Sequence, residues 1–182
     1  AGTWTATYTI TAGAIDNTNR NVSITASNTN GPTTTADTSN ATVDNVAPTV
    51  TDARISISGG TGTGGTYIIG DTVTATWNNT AGGDNNSDTI SGVTVNFSQF
   101  GGGTVAASNS AGTWTATYTL VAGAIEAGGR NISVTATDNA GNATTTADTS
   151  NADVDNAAPV VGSVNVPANA TYIAGQNLDF VV

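Results

Sequence analysis

AGTWTATYTITAGAIDNTNRNVSITASNTNG, residues Ala1–Gly31, returns as AGTWTATYTLVAGAIEAGGRNISVTATDNAG at Ala111–Gly141, and this recurrence decides the fold. Aligned without gaps, the two segments share 19 of 31 positions. The match continues through TTTADTSN (Thr33–Asn40 against Thr144–Asn151, after one inserted residue) and VDN-x-AP (Val43–Pro48 against Val154–Pro159). A third match sets TYIIG at Thr66–Gly70 against TYIAG at Thr171–Gly175. The period is about 110 residues, the size of one β-sandwich domain and not of a solenoid unit. The chain reads as a window on a tandem array.

Within the repeat, apolar and hydroxyl residues alternate with period two, the signature of strands buried on one face. Trp114, Ala116, Tyr118 and Leu120 share one parity, with Thr113, Thr115, Thr117 and Thr119 on the other. Val73, Ala75 and Trp77 alternate with Thr72, Thr74 and Thr76, and the same pattern holds for Val93–Phe97 and Ile132–Ala136. The spacing predicts seven strands: A (Val50–Ile57, resuming at Tyr67–Ile69), B (Thr72–Trp77), C (Ile90–Phe97), D (Thr104–Ala107), E (Thr113–Leu120), F (Asn131–Thr137) and G (Thr144–Val154). Gly59–Gly65 reads as a flexible strand-break loop. Strand G changes phase, which places a bulge or kink near Asp148–Asn151. Seven short strands with turn signals between them predict an all-β, immunoglobulin-like antiparallel sandwich. Its core would hold Val73, Trp77, Val95, Trp114, Tyr118, Ile132 and Val134. Counted from the VDN-x-AP junctions, residues 46–156 form the complete repeat. Residues 1–45 supply strands E–G of a preceding one, and residues 157–182 supply A and B of the next. Neither partial copy can cover its own apolar face.

Composition narrows the chemistry. The chain has no Cys, Met, His or Lys, and its only bases are Arg20, Arg54 and Arg130. No disulfide, thiolate metal site, imidazole base or Schiff-base lysine is available, so no enzymatic activity is expected. Thirteen acids against three bases give a net charge of −10, which argues against nucleic acid and anionic membrane partners. Twelve of the thirteen acids are Asp, only Glu126 being Glu. Short carboxylates in Gly/Asn-rich loops suit oxygen-liganded cations, while negative charge also keeps an exposed polymer soluble. No stretch approaches the ~20 apolar residues of a membrane span.

The ATDNAGN run (Ala136–Asn142) leading out of a strand, the Thr-rich strand after it and the VDN-x-AP junction resemble the bacterial Ig-like repeats of giant cell-surface adhesins and biofilm proteins. The resemblance spans the whole chain and implies an extracellular or cell-surface location. Asp155–Asn156–Ala157–Ala158–Pro159 is also similar to the Asp-Asn-Ala-Pro linker of cadherins, where the linker carboxylate ligates calcium between domains. That analogy maps only onto Asp44 and Asp155; the other acidic motifs of a cadherin calcium site are absent.

An immunoglobulin-like topology brings the loop between B and C (Asn78–Asp88) and that between F and G (Asp138–Asn142) to the pole where the linker enters. Asp44, Asn45, Asp84, Asp88 and Asp138 are therefore the expected calcium ligands at one junction, with Asp155 at the next. The competing reading of Asp138 is a turn cap, with Gly141 taking positive φ. Trp77 and Trp114 fall on core parity, so a sugar-stacking platform is disfavoured. The expected function is a structural stalk or filament of an adhesin, its neighbours being copies of the same repeat joined head to tail, which could also complete the partial end units. Any glycan or host-surface ligand would then sit outside this segment. The alternative is a carbohydrate- or surface-binding β-sandwich module.

Overall fold

The computed structural model describes residues 2–164 and 171–177. It is nearly all β, with fifteen strands among these residues. The first part of the chain carries β1 (Asp16–Arg20), β2 (Ser23–Asn28), β3 (Gly31–Ala36) and β4 (Ala41–Asp44). Residues 46–156, the complete repeat expected from the sequence, follow with β5 (Ile55–Ser58), β6 (Tyr67–Ile68), β7 (Thr72–Asn78), β8 (Ile90–Asn96), β9 (Thr104–Ala106) and β10 (Ser108–Ser110). They close with β11 (Thr113–Thr119), β12 (Glu126–Arg130), β13 (Ser133–Asp138), β14 (Ala143–Ala147) and β15 (Ala152–Asp155). No described helix is long and apolar enough to cross a membrane.

Two four-stranded antiparallel sheets, ordered β10-β11-β7-β5 and β14-β13-β8-β9, supply most of the buried apolar residues of a single core, to which Tyr67 of β6 and Ala152 and Val154 of β15 add. A third sheet, β12-β15-β6, includes a parallel pair, β15 with β6. The period-2 pattern places the core as the sequence predicts. Val73, Trp77, Val95, Ile132 and Val134 are each 2% exposed or less, Trp114 is 8% exposed, and Tyr118 packs at the margin. Trp114 lies directly opposite Trp77 across the β11–β7 ladder. Phe97 and Phe100, both fully buried, plug one end: Phe97 stacks on Tyr118 at 5.9 Å, and Phe100 meets Tyr67 edge-on at 5.4 Å. The outward serine and threonine hydroxyls pair across the strands, as in Ser56–Thr76 and Thr135–Thr145.

Several expected strands differ in detail. Expected strand D is β9, which pairs with β8, while β10, an edge strand on β11 beyond the expected bounds of D, was not expected. The chain crosses at Ala107, whose N–H bonds Val93 O. Strand G divides into β14 and β15 at the expected kink, where Asp148 is fully buried. The glycine-rich stretch after β5 is pinned down: the N–H and hydroxyl of Thr61 and the N–H of Ile68 all bond the Asp71 carboxylate. Gly59, at φ 121°, has no room for a Cβ, which would lie 2.0 Å from Thr72 O. β12 was not expected. Its EAGGR sequence has no alternation, yet it pairs with β15 across a bulge.

The partial copies also depart from expectation. Residues 2–11, the counterpart of β11, form no strand. In the complete repeat that segment is held by β7 and β10 on either side, and no described strand plays that part for residues 2–11. Trp4 is 96% and Tyr8 85% exposed. Residues 157–182, expected to give A and B, lie partly outside the described residues. Within 157–164 and 171–177 there is no strand, beyond an isolated bridge from Gly123 to Ala157.

Candidate functional site

Each copy of the VDN-x-AP linker leaves its unit by the same route. β1 and β4 pair as Asp16↔Asp44, Asn17↔Val43 and Arg20↔Ala41; β12 and β15 pair as Glu126↔Asp155, Ala127↔Val154 and Arg130↔Ala152. Asn45 then closes the preceding loop. Its Oδ1 accepts from Ile15 N–H at 2.7 Å and its Nδ2 donates to Thr11 O at 2.6 Å. Asn156 does the same with Ile125 and Val121, at 2.8 and 3.0 Å.

From there the chain enters the complete repeat at the pole formed by two of its loops. The loop after β7 ends in Asp88, and β13 ends in Asp138, which heads the turn to β14. Asp44, Asp88 and Asp138 each offer a carboxylate oxygen, and these oxygens all lie within 4.8 Å of one another. Asp138 is 1% exposed. Its Oδ1 accepts the N–H groups of Ala140, Gly141 and Asn142, the turn cap expected of a DNAGN sequence. Its Oδ2 accepts from Asn142 Nδ2 at 2.9 Å. The same amide reaches Asp44 Oδ1 at 3.3 Å and so links the first part of the chain to the complete repeat. Ser91 Oγ donates to Asp138 O and fixes the end of β13 against β8.

Electrostatics single out Asp88. Its Oδ1 accepts Thr89 N–H, but its Oδ2 is shielded from solvent and has no hydrogen-bond partner. The Thr89 amide, the strongest single influence on the carboxyl, lowers its pKa; burial and the charges of Asp44, Asp138 and Asp16 together outweigh this and raise it. For Asp138 burial acts upward most strongly, yet the bonds from Asn142, Gly141 and Ala140 hold the carboxyl below its ordinary value.

The expected ligand set is thus only partly assembled. Asp44, Asp88 and Asp138 converge. Asp84 is engaged elsewhere: Oδ2 takes Trp77 Nε1–H at 2.7 Å and Thr51 N–H at 2.9 Å, and Oδ1 takes the Thr51 hydroxyl. It serves the indole N–H, which needs a partner once the ring is buried. Asn45 spends its amide on the Thr11–Ile15 loop. Asp155 lies at the far end of the repeat, opposite Glu126. Asp16, not singled out from the sequence, pairs across the strands with Asp44, and its charge acts on Asp88.

The donor set fits a hard divalent cation. Calcium takes six to eight oxygens, among them carboxylates and Asn carbonyls; here three carboxylates bring oxygens within 4.8 Å of one another, and Asp88 Oδ2 has no hydrogen-bond partner. A flip of the Asn142 amide, whose O and N are assigned from the hydrogen-bond network, would turn a fourth oxygen inward. The set has no nucleophile or base beyond these carboxylates. Comparison with protein-family models, curated proteins and solved structures returns no match.

Proposed function

We propose that the chain is a stalk segment of a cell-surface adhesin, built from immunoglobulin-like repeats in line, whose joints are stiffened by calcium. The sheet orders β10-β11-β7-β5 and β14-β13-β8-β9 correspond to D-E-B-A and G-F-C-C′ of such a sandwich, with β6 running parallel beside β15. On this reading residues 1–45, 46–156 and 157–182 are the end of one repeat, a whole repeat and the start of the next, and the protein acts by spacing and display outside the cell and not by catalysis.

One observation carries the proposal: the same register and the same asparagine clamp recur at residues 11–45 and 121–156, each ending at a VDN-x-AP linker. A repeat that exits by a fixed path aims its successor in a fixed direction, which a spacer requires. In the complete repeat Trp77 and Trp114 are buried, which leaves a carbohydrate-binding reading without a tryptophan platform. Where Asp44, Asp88 and Asp138 meet, a divalent ion would offset the repulsion of carboxylates contributed from both sides of the joint. Small-angle X-ray scattering on the chain tests the spacer reading. An elongated particle is expected; a compact globule, with residues 1–45 folded back along the sandwich, would contradict it.

A further inference from the structure

We infer that the apolar groove over residues 8–45 is a docking site for another copy of this repeat, filled by the strand-and-turn segment that corresponds to Val93–Gly102; the inference rests on the repeat reading above. The groove encloses about 330 Å³ and is lined by Tyr8, Ile10, Ile15, Val22, Val43 and Asn45 among others. Each of these has a counterpart in the complete repeat: Tyr118, Leu120, Ile125, Ile132, Val154 and Asn156. There Leu120, Ile132 and Val154 are at most 2% exposed, whereas Ile10 and Val22 are 56% and 67% exposed.

The complete repeat shows what fills the matching space. Phe97 stacks on Tyr118. Gly102 sits so close to the Tyr118 ring that a Cβ would lie 2.9 Å from it, and Gly101 faces Ile125 and Asn156. The strand leading into this turn, β8, pairs with β13 through Val95↔Val134 and Val93↔Ala136. Strand β2, the counterpart of β13, pairs only with β3 among the described residues, so its other edge is open. A docking segment would therefore set its Val95 counterpart against Ile24 and its Val93 counterpart against Ala26. Its two phenylalanines would enter the groove. This is strand addition to a sheet edge, with backbone bonds giving affinity and the aromatic plug giving specificity.

The test extends the full chain at its N-terminus by a copy of residues 46–110, so that Ser110 precedes Ala1 as it precedes Ala111. Hydrogen exchange is followed by mass spectrometry over residues 3–10 and 22–26. Exchange there should slow by at least about tenfold, toward the rates of 113–120 and 132–136. Phe97→Asp with Phe100→Asp in the added copy alone should abolish that protection and leave residues 113–136 unchanged. The inference is overturned if exchange in the extended chain does not change, or if protection survives the two aspartates. It is overturned too if the unextended chain is already protected and that protection does not fall on dilution, because the groove is then filled from within the same chain. Protection in a particle that scatters as a compact globule would keep this inference and defeat the stalk reading.

Discussion

Asn45 and Asn156, 111 residues apart, make the same four hydrogen bonds. Each donates its backbone N–H to an isoleucine carbonyl (Ile15 or Ile125) and accepts a glycine N–H (Gly13 or Gly123) at its own carbonyl. Each side-chain amide then bonds the same isoleucine N–H and a carbonyl four residues earlier. Gly123 is required beside it, since a Cβ there would lie 2.8 Å from Asn156 Nδ2.

Asn156→Ala should destabilise the complete repeat by about 1–3 kcal/mol, because Ile125 N–H and Val121 O lose their partner at a residue only 3% exposed. Urea denaturation checks this. A change within about 0.5 kcal/mol, the range of ordinary surface substitutions, would show that water replaces the amide.

Trp114→Ala should cost about 3–5 kcal/mol, a large part of the stability of a domain this size. Trp4→Ala, at the matching position of the partial copy, should be nearly neutral, since Trp4 is 96% exposed. Thermal unfolding of the two variants side by side separates the buried from the unburied tryptophan of the same motif.

Asp88→Asn should change sign with calcium. In chelator it removes a carboxylate facing Asp44, Asp138 and Asp16, and the melting temperature should rise. In millimolar calcium it removes a ligand, and the variant should melt below the wild type. Melting curves in both buffers are the measurement, and equal shifts in the two would remove Asp88 from the site.

Stability should fall in acid. Asp71 is held low first by the Thr61 hydroxyl and then by the Ile68 and Thr61 amides, and Asp138 by its turn despite its burial. Each contributes stability that is present above the ordinary carboxylate value near 3.8 and lost as pH drops through its lower folded value. Asp88 acts oppositely: its ionisation weakens the fold as pH rises past 3.8 toward its raised value. Midpoint against pH should therefore decline below about pH 4, and Asp71→Asn should make that decline shallower. An unchanged decline in Asp71→Asn would assign the acid sensitivity elsewhere.

Strand phase was legible in the sequence because period two ties each side chain to a face, so Trp77, Trp114 and Val134 could be placed by parity alone. β12 was not, because EAGGR carries no alternation and is held by backbone pairing to β15. The crossing at Ala107 was hidden because a three-residue edge strand reads alike on either sheet. At the site, Asp44, Asp88 and Asp138 were legible as acids on loops at one pole. Asp84 was read as a fourth because sequence does not reveal that the Trp77 indole claims it. Asp16 was missed because its place depends on the β1–β4 register. The one available signal was that position 16 and its counterpart, Glu126, are both acidic in otherwise divergent stretches.

The most direct test of the central claim, a joint closed by a cation, is calorimetric melting of the wild type and Asp44→Ala in millimolar calcium and in chelator. Selective binding to the folded state adds about 2.7 kcal/mol at a hundredfold excess over Kd. The wild type should melt higher in calcium, and Asp44→Ala should lose most of that gain. Identical wild-type curves in the two buffers would contradict the claim and return Asp44 and Asp138 to linker and turn structure alone.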